Sequence, residues 1–314
     1  MYDRLNRGQI INKNQETTAF NVDEKTVRRD IEDLRTYLAD ANLNHSNGSL
    51  SICYDKKLNG YVLSGDNSVW LTNEEVLLIV KIVLESRALP REELNQLLDK
   101  IMLQCIPEER EHIKKVILNE RYHYVPVNHG QPLGERIWQL SYAVREHRLV
   151  DIEYQKIGHP TAVKRMIEPV GIIFSEYYFY LIGYIAGYGY EFPAVYRLDR
   201  IKNFVVTDSH FYIPDAQRFE EGEFRKRVQF MHPGSLMRIQ FRFWGPSLEA
   251  VLDRLPTAKV LSIDKGSALI EAEVFGRGIK MWLLSQAQYL EVIKPEDFRA
   301  EMKQTIQAML NNYN

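Results

Sequence analysis

The run Asp23-Glu24-Lys25-Thr26-Val27-Arg28-Arg29-Asp30-Ile31-Glu32-Asp33-Leu34 leaves this chain few structural options. Asp23 suits a helix cap, because its side chain accepts from the free N–H groups of the first turn. Val27, Ile31, Leu34 and Leu38 then recur at i, i+4, i+7 and i+11, which draws one apolar stripe. Lys25, Thr26, Arg28 and Arg29 crowd the other side of the first two turns, and Arg35 follows further along. A helix anchored by one face and basic at the start of the other suits the major groove. There Arg and Lys reach phosphates and guanine edges. The competing reading is an ordinary amphipathic helix with solvated charges, and Asp30, Glu32 and Asp33 count in its favour.

The flanking residues favour the first reading. Gln15 to Phe20 predicts a short helix, and Asn21-Val22 a tight turn into Asp23. Leu50-Ser51-Ile52-Cys53-Tyr54 and Gly60-Tyr61-Val62-Leu63 read as two short strands, joined by Asp55-Lys56-Lys57-Leu58-Asn59. Asn59-Gly60 is a strong turn signal. Helix, turn, helix and hairpin make a winged helix, whose wing lysines Lys56 and Lys57 could touch phosphate. The segment resembles the winged helix of DeoR-like bacterial regulators, whose recognition helix carries a Ser-x-Arg-Thr-Ile-x-Arg-Asp-Ile-x-x-Leu pattern. Asp23, Lys25, Thr26, Val27, Arg29, Asp30, Ile31 and Leu34 occupy those places, with Asp for Ser and Lys for Arg. Few residues precede the second helix, so the first is expected to be short or truncated. Double-stranded operator DNA is the expected partner, contacted by Lys25, Thr26, Arg28, Arg29, Arg35, Lys56 and Lys57.

At 314 residues the chain has room for two or three domains, and 45% apolar residues can fill their cores. A formal net charge of -2 gives no global attraction to nucleic acid, so DNA binding has to come from local patches. A homodimer would double them. The two cysteines, Cys53 and Cys105, lie far apart without metal-ligand spacing and are expected to be reduced. Without a leader-like segment or a membrane-length apolar run, a cytoplasmic, soluble protein with no membrane partner is expected.

From Leu71 to Leu118 the pattern is helical. Thr72-Asn73-Glu74-Glu75 offers a capped start, and Val76, Ile79, Val80, Val83 and Leu84 form a stripe. Pro90 opens a second helix, with Leu94, Leu97, Leu98, Ile101 and Met102 inside, and Pro107 a third. These helices could pack on one another or on a partner subunit. After a linker-like Tyr122 to Pro132, Leu133 to Glu146 reads as an amphipathic helix. Strands follow at Leu149 to Gln155, Lys164 to Phe174, Tyr177 to Ile185, Pro193 to Arg197 and Ile201 to Thr207. This series suggests a small barrel that removes exposed edges by closing on itself. The last third reads strand–helix–strand–strand–helix–strand from Leu236 to Lys294, with a terminal helix from Pro295 to about Asn311. That is the ferredoxin-like arrangement.

Within the barrel segment, strand alternation places Tyr178, Tyr180, Ile182 and Tyr184 on one face, and Phe179, Leu181 and Gly183 on the other. Arg197 follows on an apolar and aromatic strand, and Arg200 at the next turn. Tyr154 and Arg165 add a ring and a cation from the first two strands. Arginines beside tyrosines suit a phosphate with a base or ribose attached, since the guanidinium forks onto oxygens and rings stack on the base. These residues resemble the WYL domain, an Sm- or SH3-like barrel named for a Trp-Tyr-Leu run. Here the run is Phe179-Tyr180-Leu181, accompanied by Ile167-Glu168-Pro169-Val170-Gly171 and the Tyr196-to-Ile201 block. The tail, with Trp282-Leu283 and Val292-Ile293-Lys294-Pro295, resembles the C-terminal extension common in these regulators.

The resemblance implies an α+β transcriptional regulator in four parts. Residues 1–66 form the winged helix-turn-helix and 67–132 a helical linker. Residues 133–212 form the ligand-sensing Sm/SH3-like barrel, and 213–314 the ferredoxin-like βαββαβ extension. It implies a nucleotide or single-stranded nucleic-acid effector held by Tyr154, Arg165, Tyr180, Arg197 and Arg200, and a repressor as the expected role. Competing structural roles stand beside these: Tyr154 and Tyr180 could fill the barrel, and Arg200 could pair with Asp199 or another carboxylate. Enzyme chemistry, cofactors and metals find little support. His123 and His129 are separated by a proline-containing linker, and Thr207-Asp208-Ser209-His210 reads as a turn. Gly187-Tyr188-Gly189 reads as a hairpin turn, and Gly276-Arg277-Gly278 as a turn or a helix-start anion site. Two other functions compete: a single-stranded nucleic-acid-binding accessory protein without operator specificity, and a nucleotide-processing enzyme with a site in the barrel.

Overall fold

The computed structural model describes residues 1–6, 9–44, 50–56, 58–64, 71–105, 107–188, 192–214 and 218–314. They fall into two units, Met1–Pro132 and Leu133–Asn314.

The first unit begins with α1 (Tyr2–Asn6), α2 (Lys13–Phe20) and α3 (Glu24–Asn44), followed by the antiparallel pair β1 (Ser51–Asp55) and β2 (Gly60–Ser64). Asn12 caps α2 by accepting from the Asn14 N–H at 3.0 Å. Asn21 ends the helix in the left-handed region at φ 51°, which turns the chain sharply toward α3. The Asp23 carboxylate then accepts from the Thr26 N–H at 2.7 Å. Val27, Ile31 and Leu38 bury the apolar stripe against Leu5, Ile11, Ile52 and Tyr61, with Leu34 half-buried beside them. Ile11 and Tyr61 exchange both backbone hydrogen bonds, at 2.9 and 2.8 Å, which fastens the hairpin to the chain ahead of α2. Arg4 of α1 grips Glu16 of α2 through two nitrogens, at 3.0 and 2.6 Å, and the Glu16 side chain is 1% exposed.

Three further helices complete this unit: α4 (Asn73–Ser86), α5 (Arg91–Met102) and α6 (Pro107–Tyr122). Thr72 and Glu75 form a reciprocal capping box at the start of α4. Val76, Val80 and Leu84 are buried among Leu94, Leu98, Ile113 and Ile117. The stripe that offered itself for dimerisation is therefore consumed within the unit. The large apolar side chains that α4 leaves exposed are Leu78 and Ile82.

The second unit opens with α7 (Gly134–Arg145) and a five-stranded antiparallel sheet of β3 (Arg148–Tyr154), β4 (Val163–Ser175), β5 (Tyr178–Ile185), β6 (Ala194–Arg197) and β7 (Ile201–His210). The strand order is β6-β5-β4-β3-β7, and a 3-10 turn at Leu198–Arg200 links β6 to β7. Closure by a ladder between β6 and β7 is not seen among the described residues; they end the sheet on either side. Proline cannot donate to a ladder, and Pro169 of β4 sits where the register shifts before Gly171. One face of the sheet buries Val150, Ile152, Tyr154, Ile167, Leu181 and Tyr196 against Leu140 and Ala143 of α7. The opposite face buries Ile173, Tyr180 and Ile182 with Phe224 of α8 (Glu221–Arg227) and with Val228 and Met231.

A second sheet holds β8 (Leu236–Phe243), β9 (Lys259–Asp264), β10 (Ser267–Phe275) and β11 (Leu290–Lys294) in the antiparallel order β11-β8-β10-β9. Helices α9 (Leu248–Arg254) and α10 (Gly278–Ser285) connect its strands, and α11 (Glu296–Asn311) follows β11. The β9–β10 hairpin turns through Lys265 at φ 46° and Gly266 at φ 81°, the conformation a two-residue loop requires. Trp282 is buried with Ile239, Phe241 and Val292, its ring edge-on to Phe241 at 6.3 Å. It is thus a core residue of this sheet. No helix among the described residues is long and apolar enough to cross a membrane.

Candidate functional site

The five expected ligand residues do not converge. Alternation along β5 puts Tyr180 on the α8-facing side of the sheet, whereas Tyr154 of β3 lies in the core under α7. There Tyr154 packs edge-on against Tyr196 at 5.1 Å, which makes it a filling residue. Arg165 is the register partner of Ile152 and lies two strands from β6. It lines a shallow groove of about 310 Å³ with Asp151, Glu153, Lys164 and Asn203. Its Nε is buried and has no hydrogen-bond partner among the described residues.

Arg197, Tyr178, Tyr180 and Arg200 do form a cluster. Tyr180 and Arg197 are paired across β5 and β6, so their side chains share a face. The Arg197 guanidinium carbon lies 3.3 Å from the Tyr178 ring centroid. Its Nε and Nη2 donate to Oδ1 and Oδ2 of Asp199 at 3.0 and 2.7 Å. Asp199, the expected alternative partner of Arg200, pairs instead with Arg197 from within the 3-10 turn at Leu198–Arg200. Burial works against the charge on Arg197, but the Asp199 hydrogen bonds and charge outweigh it and raise its pKa. Burial pushes the Tyr180 hydroxyl up to about 12, against the pull of Arg197 and Arg200. Arg200 is half-buried and has no ion pair among the described residues. The cluster therefore holds one cation already matched by an internal carboxylate and one that is not.

On the first unit, Lys25, Arg28 and Arg29 are exposed at the start of α3, on the side away from Val27 and Ile31. Thr26 is half-buried, with its N–H held by Asp23. The hydrogen bonds from Thr26 hold the Asp23 carboxyl below its ordinary pKa, aided by Arg29. Arg35 is engaged in the fold: its Nε donates to the Ile52 carbonyl at 2.9 Å and its Nη1 to Glu32 at 2.8 Å. It also lies over the Tyr61 ring at 5.7 Å, and Lys13 approaches the same ring at 5.4 Å. Lys56 is exposed on the hairpin turn, and Lys57 lies outside the described residues.

The remaining motifs have structural surroundings. Thr207 to His210 belong to β7 rather than to a turn, and Asp208 there pairs with Arg148 at 2.6 Å. The His123 ring packs edge-on to Tyr122 at 4.9 Å. Gly189 lies outside the described residues. Among the described residues, no group of three or more His, Cys, Asp or Glu side chains could hold a metal.

Residues 136–206 match the WYL domain and residues 227–310 the WCX domain, so the chain carries both in succession. No curated protein matches it. Among solved structures it is similar to Proteasome accessory factor B/C (PafBC) of Arthrobacter aurescens, at 15% identity and a TM-score of 0.31, over 97% of this chain. The chain spans 46% of that longer one. A structure described as a CRISPR Cas-related protein is similar at 13% identity and a TM-score of 0.38, over 93% of this chain and 74% of the other.

Proposed function

We propose that this WYL- and WCX-domain chain is a ligand-responsive regulator that binds duplex DNA through α3 and the β1–β2 hairpin. The observation that carries the reading is the arrangement of α3. Its apolar stripe is locked into a core, and Lys25, Arg28 and Arg29 project from its first turns after the sharp Asn21 turn. Such a helix can enter the major groove with its N-terminal side chains toward base edges. We read residues 1–66 as the winged helix, 67–132 as a helical linker, 133–212 as an Sm/SH3-like barrel and 213–314 as a ferredoxin-like extension. The β11-β8-β10-β9 order with intervening helices supports the last assignment.

The cluster around Arg197 and Arg200 is the proposed effector site, for a nucleotide or a single-stranded nucleic-acid end. Its guanidinium fork and adjacent tyrosine rings match phosphate and base respectively. The regulator acts as a repressor and binds its operator as a homodimer, since two linked modules gain affinity by effective concentration. The test is retardation of duplex fragments from the DNA flanking its own gene, with a scrambled duplex and a single strand as competitors. Retardation of one duplex that survives moderate salt and the scrambled competitor supports the reading. Preference for the single strand without duplex specificity would replace it with an accessory single-strand-binding role.

A further inference from the structure

We propose that Asp199 is an internal competitor for the effector site, holding the Arg197 fork until a phosphate-bearing ligand displaces it. The inference rests on the effector-site reading given above. Asp199 presents both carboxylate oxygens to Nε and Nη2 of Arg197, an edge that also suits two phosphate oxygens, at 3.0 and 2.7 Å. Carboxylate and phosphate are alternative partners for the Nε–Nη2 edge of the guanidinium, so the two cannot occupy that edge together. The pair is also secluded, with Arg197 18% and Asp199 7% exposed in their side chains. Arg197 keeps its place without the carboxylate, because the Tyr178 ring supports the guanidinium from one side. Arg200, the neighbouring cation with no ion pair among the described residues, offers an incoming anion its first contact.

Displacement has a structural consequence. An ionised carboxylate is not tolerated unpaired in a secluded position, so Asp199 must move toward water when it loses Arg197. It sits in the 3-10 turn at Leu198–Arg200, and that turn is tied on both sides. The Arg200 carbonyl accepts from the Gln155 N–H at 2.9 Å, just beyond β3. Leu198 is buried in the core that holds Tyr154 and Leu140 of α7. Exchange of anions at Arg197 therefore pulls on the sheet and on the α7 core together. The two arrangements of this turn are the element that ligand binding would bias.

The experiment is calorimetric titration of the full chain with a 5′-phosphorylated thymidine dinucleotide, using the parent, Asp199→Asn, Arg197→Ala and the double variant. Asp199→Asn removes the competing charge and keeps the shape, so it should bind the probe about tenfold more tightly, as expected for one charge-assisted interaction no longer displaced. Arg197→Ala should abolish that gain in the double variant. Equal or weaker binding by Asp199→Asn, with the parent binding normally, overturns the competitor role and leaves the effector site standing. Failure of both parent and Asp199→Asn to bind overturns the effector site and the competitor together. If Asp199→Asn does not fold, the parent decides through the Arg197 Nε–H resonance. It should shift at saturation with the dinucleotide as carboxylate gives way to phosphate, and an unmoved resonance overturns the proposal.

Discussion

Tyr180 and Arg197 stand opposite each other across the β5–β6 ladder, and their ring and guanidinium share one face of the sheet. A cation at that position favours phenolate, yet burial prevails and pushes the Tyr180 hydroxyl from 10.0 up to about 12. An unfolded tyrosine ionises near 10, so between about pH 10 and 12 the folded chain binds more protons at this site than the unfolded one. The Tyr180 contribution is complete below that window and is lost as pH rises through it. At about 1.4 kcal/mol per unit it is on the order of 2–3 kcal/mol. Burial also raises Tyr124 and Tyr184, so ultraviolet titration should show several late-ionising phenols, of which Tyr180→Phe removes the one near 12. Identical titration curves for the two proteins would contradict the assignment.

Replacing Arg28 and Arg29 by Ala should weaken operator binding by about 1–3 kcal/mol for each side chain that reads a base edge, and by less for one that meets only phosphate. Both side chains are exposed, so the circular-dichroism spectrum and melting temperature should stay unchanged. Unaltered affinity for the operator in the double variant removes α3 as the reading helix.

Arg35 should behave differently, because its guanidinium joins α3 to the Ile52 carbonyl. Arg35→Ala should lower the stability of the first unit by about 1.5–3 kcal/mol, the scale of a hydrogen bond from a charged group. Its loss of DNA affinity should largely recover at low temperature, where the hairpin is restored. A variant with parental stability and reduced affinity would make Arg35 a direct DNA contact.

The Arg4–Glu16 pair supplies a further expectation. Glu16 is 1% exposed, so removing Arg4 leaves a buried charge without its partner. Arg4→Ala should destabilise the fold by about 3 kcal/mol, the low end for a broken buried pair because Arg4 is partly exposed. Adding Glu16→Gln should restore part of the loss. Chemical denaturation of the single and double variants measures the coupling, and additive losses would contradict it.

Element order is legible wherever a local pattern is strong. Leu236–Phe243 follows residue for residue from its alternation, because inward Ile239, Phe241 and Phe243 take turns with polar side chains. Helix α11 is legible from Pro295 onward, since a proline fits the first turn of a helix. Two short helices escape the sequence patterns, α1 with 5 residues and α8 with 7. Phe224 is the one buried residue of α8, and a single apolar position sets no period. What holds α8 is the sheet face of Ile173, Tyr180 and Ile182, about fifty residues away in the chain.

The amino-acid sequence by itself determined which residues alternate, which recur at helical spacing, and where caps and turns fall, because these depend on neighbours within a few positions. It therefore placed Tyr180 and Leu181 on opposite faces of β5, and the cations at the start of α3. Tertiary structure alone decided what each face meets. It buried Tyr154 and Tyr180 in separate cores, turned the α4 stripe inward, and delivered Asp199 rather than solvent to the Arg197 fork. The physical reason is that burial and charge pairing depend on distance in space. A carboxylate two residues along the chain becomes a bidentate partner only after β5, β6 and the 3-10 turn have folded around it.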